Sequence, residues 1–121
     1  MGLELYPGFF ASLEEVLDDI KKTGFWPTTV VSPPSAALPI HWHDSELNGY
    51  VMSGRTWLRD GETGERIDFK QGDKLVIPKG ALHAEGETTE TMVYIVAARE
   101  PRPFDEFLRM RWPSELDEAP V

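Results

Sequence analysis

The sequence predicts an all-β domain, an antiparallel sandwich or small barrel, with a short helix in front of it and another behind. Three observations carry this reading. Between Pro27 and Arg99, short β-branched or aromatic runs alternate with Gly, Pro and Asp at intervals of roughly eight to twelve residues, as in many-stranded antiparallel folds. Helical periods of apolar residues occur only outside that stretch, a clear one ahead of it and a shorter one behind. At 121 residues, 40% apolar and 11% aromatic, the chain suits one domain with a real core and lies far from the composition of disorder. The expected organisation is a single domain over 1–121, with the barrel core at about 27–99, an N-terminal helix at about 12–23 and a C-terminal helix at about 104–112.

In "ASLEEVLDDIKKTG" (11–24), Ser12 followed three residues later by Glu15 makes a capping box, and Leu13, Val16, Leu17 and Ile20 fall at i, i+3, i+4 and i+7. Lys21 and Lys22 suit the last turn, and Gly24 suits the stop. The pattern predicts about three turns with one apolar face, and Glu14, Asp18 and Asp19 read as its solvated side. The strands expected next are "TTVVS" (28–32), "LPIHWH" (38–43), "GYVMS" (49–53), "RTWLR" (55–59), "ERIDF" (65–69), "DKLVIP" (73–78), "LHAE" (82–85) and "TMVYIVAA" (91–98). "RDGETGE" is the clearest hairpin turn, since both of its glycines could supply positive φ. "SPPS" (32–35) is a rigid loop, because proline cannot donate to a ladder. Beyond Pro103, "FDEFLRMRW" predicts a short helix that turns Phe104, Phe107, Leu108 and Trp112 toward the core and stops at Pro113; "SELDEAPV" is expected to fray.

The net charge of −9 argues against a nucleic-acid or anionic-membrane partner, both of which need a basic surface. Without cysteine, any metal must be held by His, Asp, Glu, carbonyl groups or water. The start of the chain lacks the basic and apolar segments of a secretory leader, and no apolar run approaches a bilayer's span, so a cytoplasmic protein is expected.

The chemistry is concentrated in "HWHDSELNGYVMSG" (41–54). Side chains alternate across a strand, so His41 and His43 share a face about 6 to 7 Å apart while Trp42 faces the other way. Alone, such a pair is as readily a surface or core feature as a metal site. A second segment, "GDKLVIPKGALH" (72–83), sets Gly72, Pro78 and Gly80 at fixed offsets before His83. At ordinary Gly and Pro frequencies, such a match around one of three histidines arises in roughly one sequence in a thousand, so it outweighs the pair alone. Physically it is a turn at Gly72 and Asp73, a strand, a tight turn through "PKGAL", and a histidine opening the next strand.

Together the two segments resemble the paired motifs of the cupins, single-domain β-barrels of jelly-roll or double-stranded β-helix type. The resemblance covers about 38–98, with seventeen residues between Gly54 and Gly72. It implies that His41, His43 and His83 are metal ligands, which uses every histidine of the chain. Two positions depart from the family's pattern. Its glutamate falls on Leu47, and Glu46 sits one residue early, where it points away from the histidines unless a turn or bulge re-aims it; Glu46 is kept as a candidate fourth ligand. The last asparagine of the second motif is Glu87, whose role stays open, while Glu85 can share the face of His83.

A three-histidine set leaves positions on the ion for substrate, water or dioxygen. It suits one divalent transition-metal ion, with Fe, Zn, Ni, Mn and Cu not distinguished. The resemblance implies a metal-binding cupin and, as its most specific reading, a dioxygenase-like oxidoreductase acting on a small organic ligand in the barrel, and the neutral ligand set should favour anionic, chelating substrates. Two alternatives stand beside it: a non-catalytic binding or sensing cupin, and a metal-independent sugar isomerase or epimerase using a barrel histidine as base. The latter needs cations for phosphate, and Arg55, Arg59 and Lys79 are more simply explained as strand or turn residues facing water. Trp42, Tyr50 and Trp57 are more aromatic surface than a small barrel hides, so packing on the helices and a homodimer are expected.

Overall fold

A computed structural model describes residues 2–117. Among these residues nine strands form two antiparallel sheets. The elements are β1 (Glu4–Tyr6), α1 (Leu13–Thr23), β2 (Trp26–Ser32), β3 (Leu38–His41), β4 (Leu47–Ser53), β5 (Arg55–Asp60), β6 (Arg66–Lys70), β7 (Lys74–Ile77), β8 (His83–Glu85), β9 (Met92–Ala98) and α2 (Pro113–Asp117). One sheet runs β1-β7-β4-β9-β2 and the other β3-β8-β5-β6. This is the jelly-roll arrangement expected for the chain, with the eight predicted strands in place. β1 carries too little apolar signal over three residues to be read in advance; it joins the first sheet by pairing Leu5 with Leu75.

Strand alternation divides the core. Leu47 and Val51 of β4, Leu75 of β7 and Val96 and Ala98 of β9 face the second sheet, where Leu58 of β5 and Phe69 of β6 complete the interior. The intervening residues Tyr50, Ile95 and Ala97 face outward and are covered by Phe10 and by Val16 and Ile20 of α1. β4 is therefore buried on both faces, with Tyr50 and Val51 each 0% exposed.

α1 begins and ends as expected. The Ser12 hydroxyl accepts the Glu15 amide at 3.2 Å, and Gly24 closes the helix at φ 74°. Only part of its apolar face is used. Val16 and Ile20 are buried, whereas Leu13 and Leu17 are 52% and 49% exposed, because that row lies roughly 60° round the helix from the row meeting Tyr50 and Ile95. The acidic side also differs from expectation. Asp19 is held against the sheet, accepting from the Tyr50 hydroxyl at 2.5 Å and from Lys74 Nζ at 2.6 Å. Lys74 lies 4.8 Å from the centroid of Phe9 and 5.5 Å from that of Tyr50, which lets its stem be buried while its charge is met by Asp19.

In the β5–β6 hairpin only Gly64 takes positive φ, at 76°; Asp60 Oδ1 supplies the rest of the turn by accepting the amides of Glu62 and Thr63.

A short C-terminal helix is present but displaced. Residues 104–108 form turns instead of the helix expected at 104–112, and Phe104 is 96% exposed and Trp112 41% exposed rather than turned to the core. Phe107 and Leu108 do pack on Leu47, Val96 and Ala98. The helical pattern gives way because Arg111 pairs with Trp42 through two backbone hydrogen bonds of 2.8 and 2.9 Å and Leu108 adopts φ 61°. Pro113 then starts α2, where its missing amide hydrogen and fixed φ suit a first helical position. The rest of the tail expected to fray, 118–121, lies outside the described residues. No helix among the described residues is long and apolar enough to cross a membrane.

Candidate metal centre

The β3–β8 ladder sets His41 directly opposite His83. His43, two residues beyond His41, returns to the same side, and the ring centroids stand 4.4 Å (His41–His83), 5.0 Å (His41–His43) and 5.3 Å (His43–His83) apart. One ligand atom from each ring lies within 4.8 Å of the others, so these buried histidines are close enough to bind a metal ion. The turn before His83 is fastened to the same place. Gly80, at φ 79°, gives its amide to the His43 carbonyl at 3.0 Å, a conformation that a β-carbon would strain.

The hydrogen bonds fix the tautomers. Nδ1 of His41 lies 2.7 Å from the Pro39 carbonyl, Nδ1 of His43 lies 3.1 Å from that of Arg109, and Nδ1 of His83 lies 2.9 Å from that of Ala81. A carbonyl only accepts, so each Nδ1 carries a hydrogen, and each neutral ring keeps its Nε2 lone pair for an ion. His41 Nε2 is buried without a hydrogen-bond partner, and 3.1 Å from it lies Glu85 Oε2. The donor set, its tautomers and this orphaned atom fit a divalent transition-metal ion.

Burial, reinforced by His83 and His41, pushes His43 down to about 4. Burial likewise lowers His83, aided by His41. At His41 burial also acts downward, but the Glu85 carboxylate and the Pro39 carbonyl outweigh it and hold the ring above its ordinary value. Glu85 responds in kind: burial acts upward, and the bond to His41 with the nearby rings holds its carboxyl below the ordinary value.

Glu46 is not brought to this group. Its Oε1 lies 3.5 Å from Arg99 Nη1, while Leu47 is 4% exposed and faces the interior. The register irregularity of β4 falls between Val51 and Ser53, too far along to re-aim position 46. Glu85 is the carboxylate that reaches the histidines; it shares a face of β8 with His83, as alternation requires. Glu87 is exposed on the outside of the barrel, where its carbonyl accepts from Thr56.

His43 and His83 open onto a cavity of about 280 Å³ between the sheets. Its walls are largely apolar, with Leu47, Leu58, Phe69 and Ile77 among them, and its polar groups are Ser32, His43, His83, Glu85 and Tyr94. No Lys or Arg is among the described residues lining it. Burial and the Glu85 charge push the Tyr94 phenol well above its usual value, so it stays a neutral hydroxyl. Leu108 and Met110 also line the cavity, placed there by a C-terminal strap that sequence reasoning missed. The strap is tied down by Arg111 Nη2 on Asp44 Oδ2 at 3.1 Å and by the indole of Trp42, which donates to the Trp112 carbonyl at 2.9 Å. An Asp beside the paired histidines and an arginine-rich end were its only signal, because the contact to His43 is made by a backbone carbonyl.

Among solved structures, a DUF861 family protein from Thermotoga maritima matches with a TM-score of 0.56 at 15% identity, over 78% of this chain and 96% of its own. A DMSP lyase from Ruegeria pomeroyi matches with a TM-score of 0.53 at 22% identity, over 61% of this chain and 37% of its own. A ribosomal oxygenase from Escherichia coli matches with a TM-score of 0.53 at 21% identity, over 74% of this chain and 27% of its own. At these identities the likeness is one of fold. No curated protein matches the chain in sequence. The family model for the cupin domain matches residues 28–98, the span from β2 to β9 that holds all three histidines and Glu85, and the chain belongs to the cupin family.

Proposed function

We propose that this cupin is a metal-dependent enzyme in which His41, His43 and His83 hold one divalent transition-metal ion and a small organic substrate enters the barrel, the reaction being of dioxygenase type. The observation that carries the reading is the set of three Nδ1-to-carbonyl hydrogen bonds, which leaves three converging Nε2 donors in a buried place. A bound ion supplies a Lewis-acid centre with open positions, and as iron(II) it would bring dioxygen to the substrate. The chain's own part is to bind and enclose. Leu47, Phe69 and Leu108 exclude water, and Tyr94 offers one neutral hydroxyl to orient a polar group.

A cavity of about 280 Å³ sits at the small end of ligand pockets. With no Lys or Arg among the described lining residues, an anionic substrate has only the ion as counter-charge, which narrows the earlier expectation to small molecules that are otherwise apolar. Arg55, Arg59 and Lys79 do not line the cavity, and this weighs against the sugar-phosphate isomerase reading. The homodimer is kept in the proposal on the exposed edge strand β2, where Trp26 is 57% and Val31 64% exposed.

The experiment is dioxygen uptake by protein reloaded with Fe(II), offered a panel of small thiols, diketones and enols. Uptake with one of them, abolished in His83→Ala, supports the enzyme. Metal-dependent binding without uptake or product by any panel member turns the reading to a binding module.

A further inference from the structure

The structure assigns Glu85 as a fourth donor to the ion at His41, His43 and His83, a carboxylate supplied from β8 where the family's pattern places one on β4. This rests on the metal-site reading above. The geometry comes from alternation and register: His83 and Glu85 are two residues apart on β8, and β3 runs opposite, pairing His41 with His83 and Leu38 with Glu85. Glu85 Oε2 thereby meets His41 Nε2 at 3.1 Å.

That contact needs a cation. His41 Nδ1 gives its hydrogen to Pro39, so the neutral ring has none left for Nε2, and two acceptors face each other at a residue 0% exposed. An ion bound by both atoms resolves the clash. The spacing suits it: with metal–ligand bonds of about 2.0–2.2 Å, neighbouring donors stand about 3.0 Å apart at right angles and about 3.4 Å apart in a tetrahedron. No cationic side chain competes for Glu85 among the described residues of the cavity wall. Position 47, where the family's pattern has its glutamate, carries a leucine that fills the wall instead. Bound this way, Glu85 removes one unit of positive charge from the centre and leaves fewer open positions than three histidines alone.

The test is titration of metal-free full chain with Co(II), followed by calorimetry and by the visible absorption of the ion, in the wild type, Glu85→Gln and Glu46→Gln. The expected result is an affinity at least about tenfold lower in Glu85→Gln, with a changed cobalt spectrum, while Glu46→Gln matches the wild type. Cobalt bound to Glu85→Gln with wild-type affinity and spectrum overturns the assignment and leaves the three-histidine site standing. A wild type that takes up no Co(II) overturns both. Should Glu85→Gln not fold, a crystal structure of the cobalt-loaded wild type decides: a Glu85 oxygen about 2.1 Å from the ion upholds the assignment, and one beyond bonding distance refutes it.

Discussion

His43 gives its Nδ1 hydrogen to the carbonyl of Arg109, 66 residues further along the chain and 3.1 Å away. The orientation of one candidate ligand is therefore set by the C-terminal strap, and the strap is held by Asp44, the residue next to His43. Partners of this kind commonly change metal affinity by about 10 to 100-fold when removed. Arg111→Ala should weaken metal binding within that range while lowering stability by only about 1 kcal/mol or less, since the Arg111–Asp44 pair is partly exposed. Parallel metal titration and urea unfolding check this.

Acid should release the ion through His41. A raised His41 value means that its proton competes with metal already above 6.5, whereas His43, pushed down to about 4, and the lowered His83 stay neutral there. Metal affinity should thus fall as pH drops through the His41 value, with a proton released on ion binding at pH 6. Calorimetry in buffers of different ionisation enthalpy counts that proton; a count near zero at pH 6 would show that His41 is not protonated in the metal-free state.

Asp19 ties α1 to the sheet, and its carboxyl is held below the ordinary value: burial acts upward, but the bonds from Lys74 and Tyr50 outweigh it. A depressed carboxyl contributes stability that is complete above the unfolded value of about 3.9 and is lost as pH falls through the folded value. Asp19→Asn should therefore lower stability at pH 7 and flatten the acid limb of the stability curve below pH 4. Thermal unfolding from pH 7 to pH 3 gives both.

The two rows of α1 should differ in energy. Ile20→Ala removes a side chain buried against Tyr50 and Ile95 and should cost about 2–5 kcal/mol, whereas Leu17→Ala, at a position 49% exposed, should stay below about 1 kcal/mol. Denaturant midpoints of the two variants make the comparison, and neither should change metal affinity, because α1 lies outside the barrel.

Local patterns made most of the strands and the three histidines legible. "GDKLVIPKGALH" folds as it reads, with a turn at Gly72, a strand over Lys74–Ile77 and a second turn at Gly80 before His83. Alternation along β4 was enough to expect Glu46 outside and Leu47 inside, and along β8 to group Glu85 with His83. What stayed hidden depends on residues distant in sequence. That Glu85 meets His41 follows from the β3–β8 register, which no local period records. The strap reaches His43 through a backbone carbonyl, and Asp19 looked solvated because Lys74 lies 55 residues away. "FDEFLRMRW" has a helical period that tertiary pairing with Trp42 overrides.

The most direct measurement is elemental analysis of the purified protein after exposure to Fe, Mn, Ni, Zn and Cu salts and removal of unbound ions. A divalent transition metal held at about one ion per chain, and lost when His41, His43 and His83 are replaced together by alanine in a variant that still folds, is the result this account requires. A wild type that retains none of these metals, or an alanine variant that retains as much as the wild type, would contradict it.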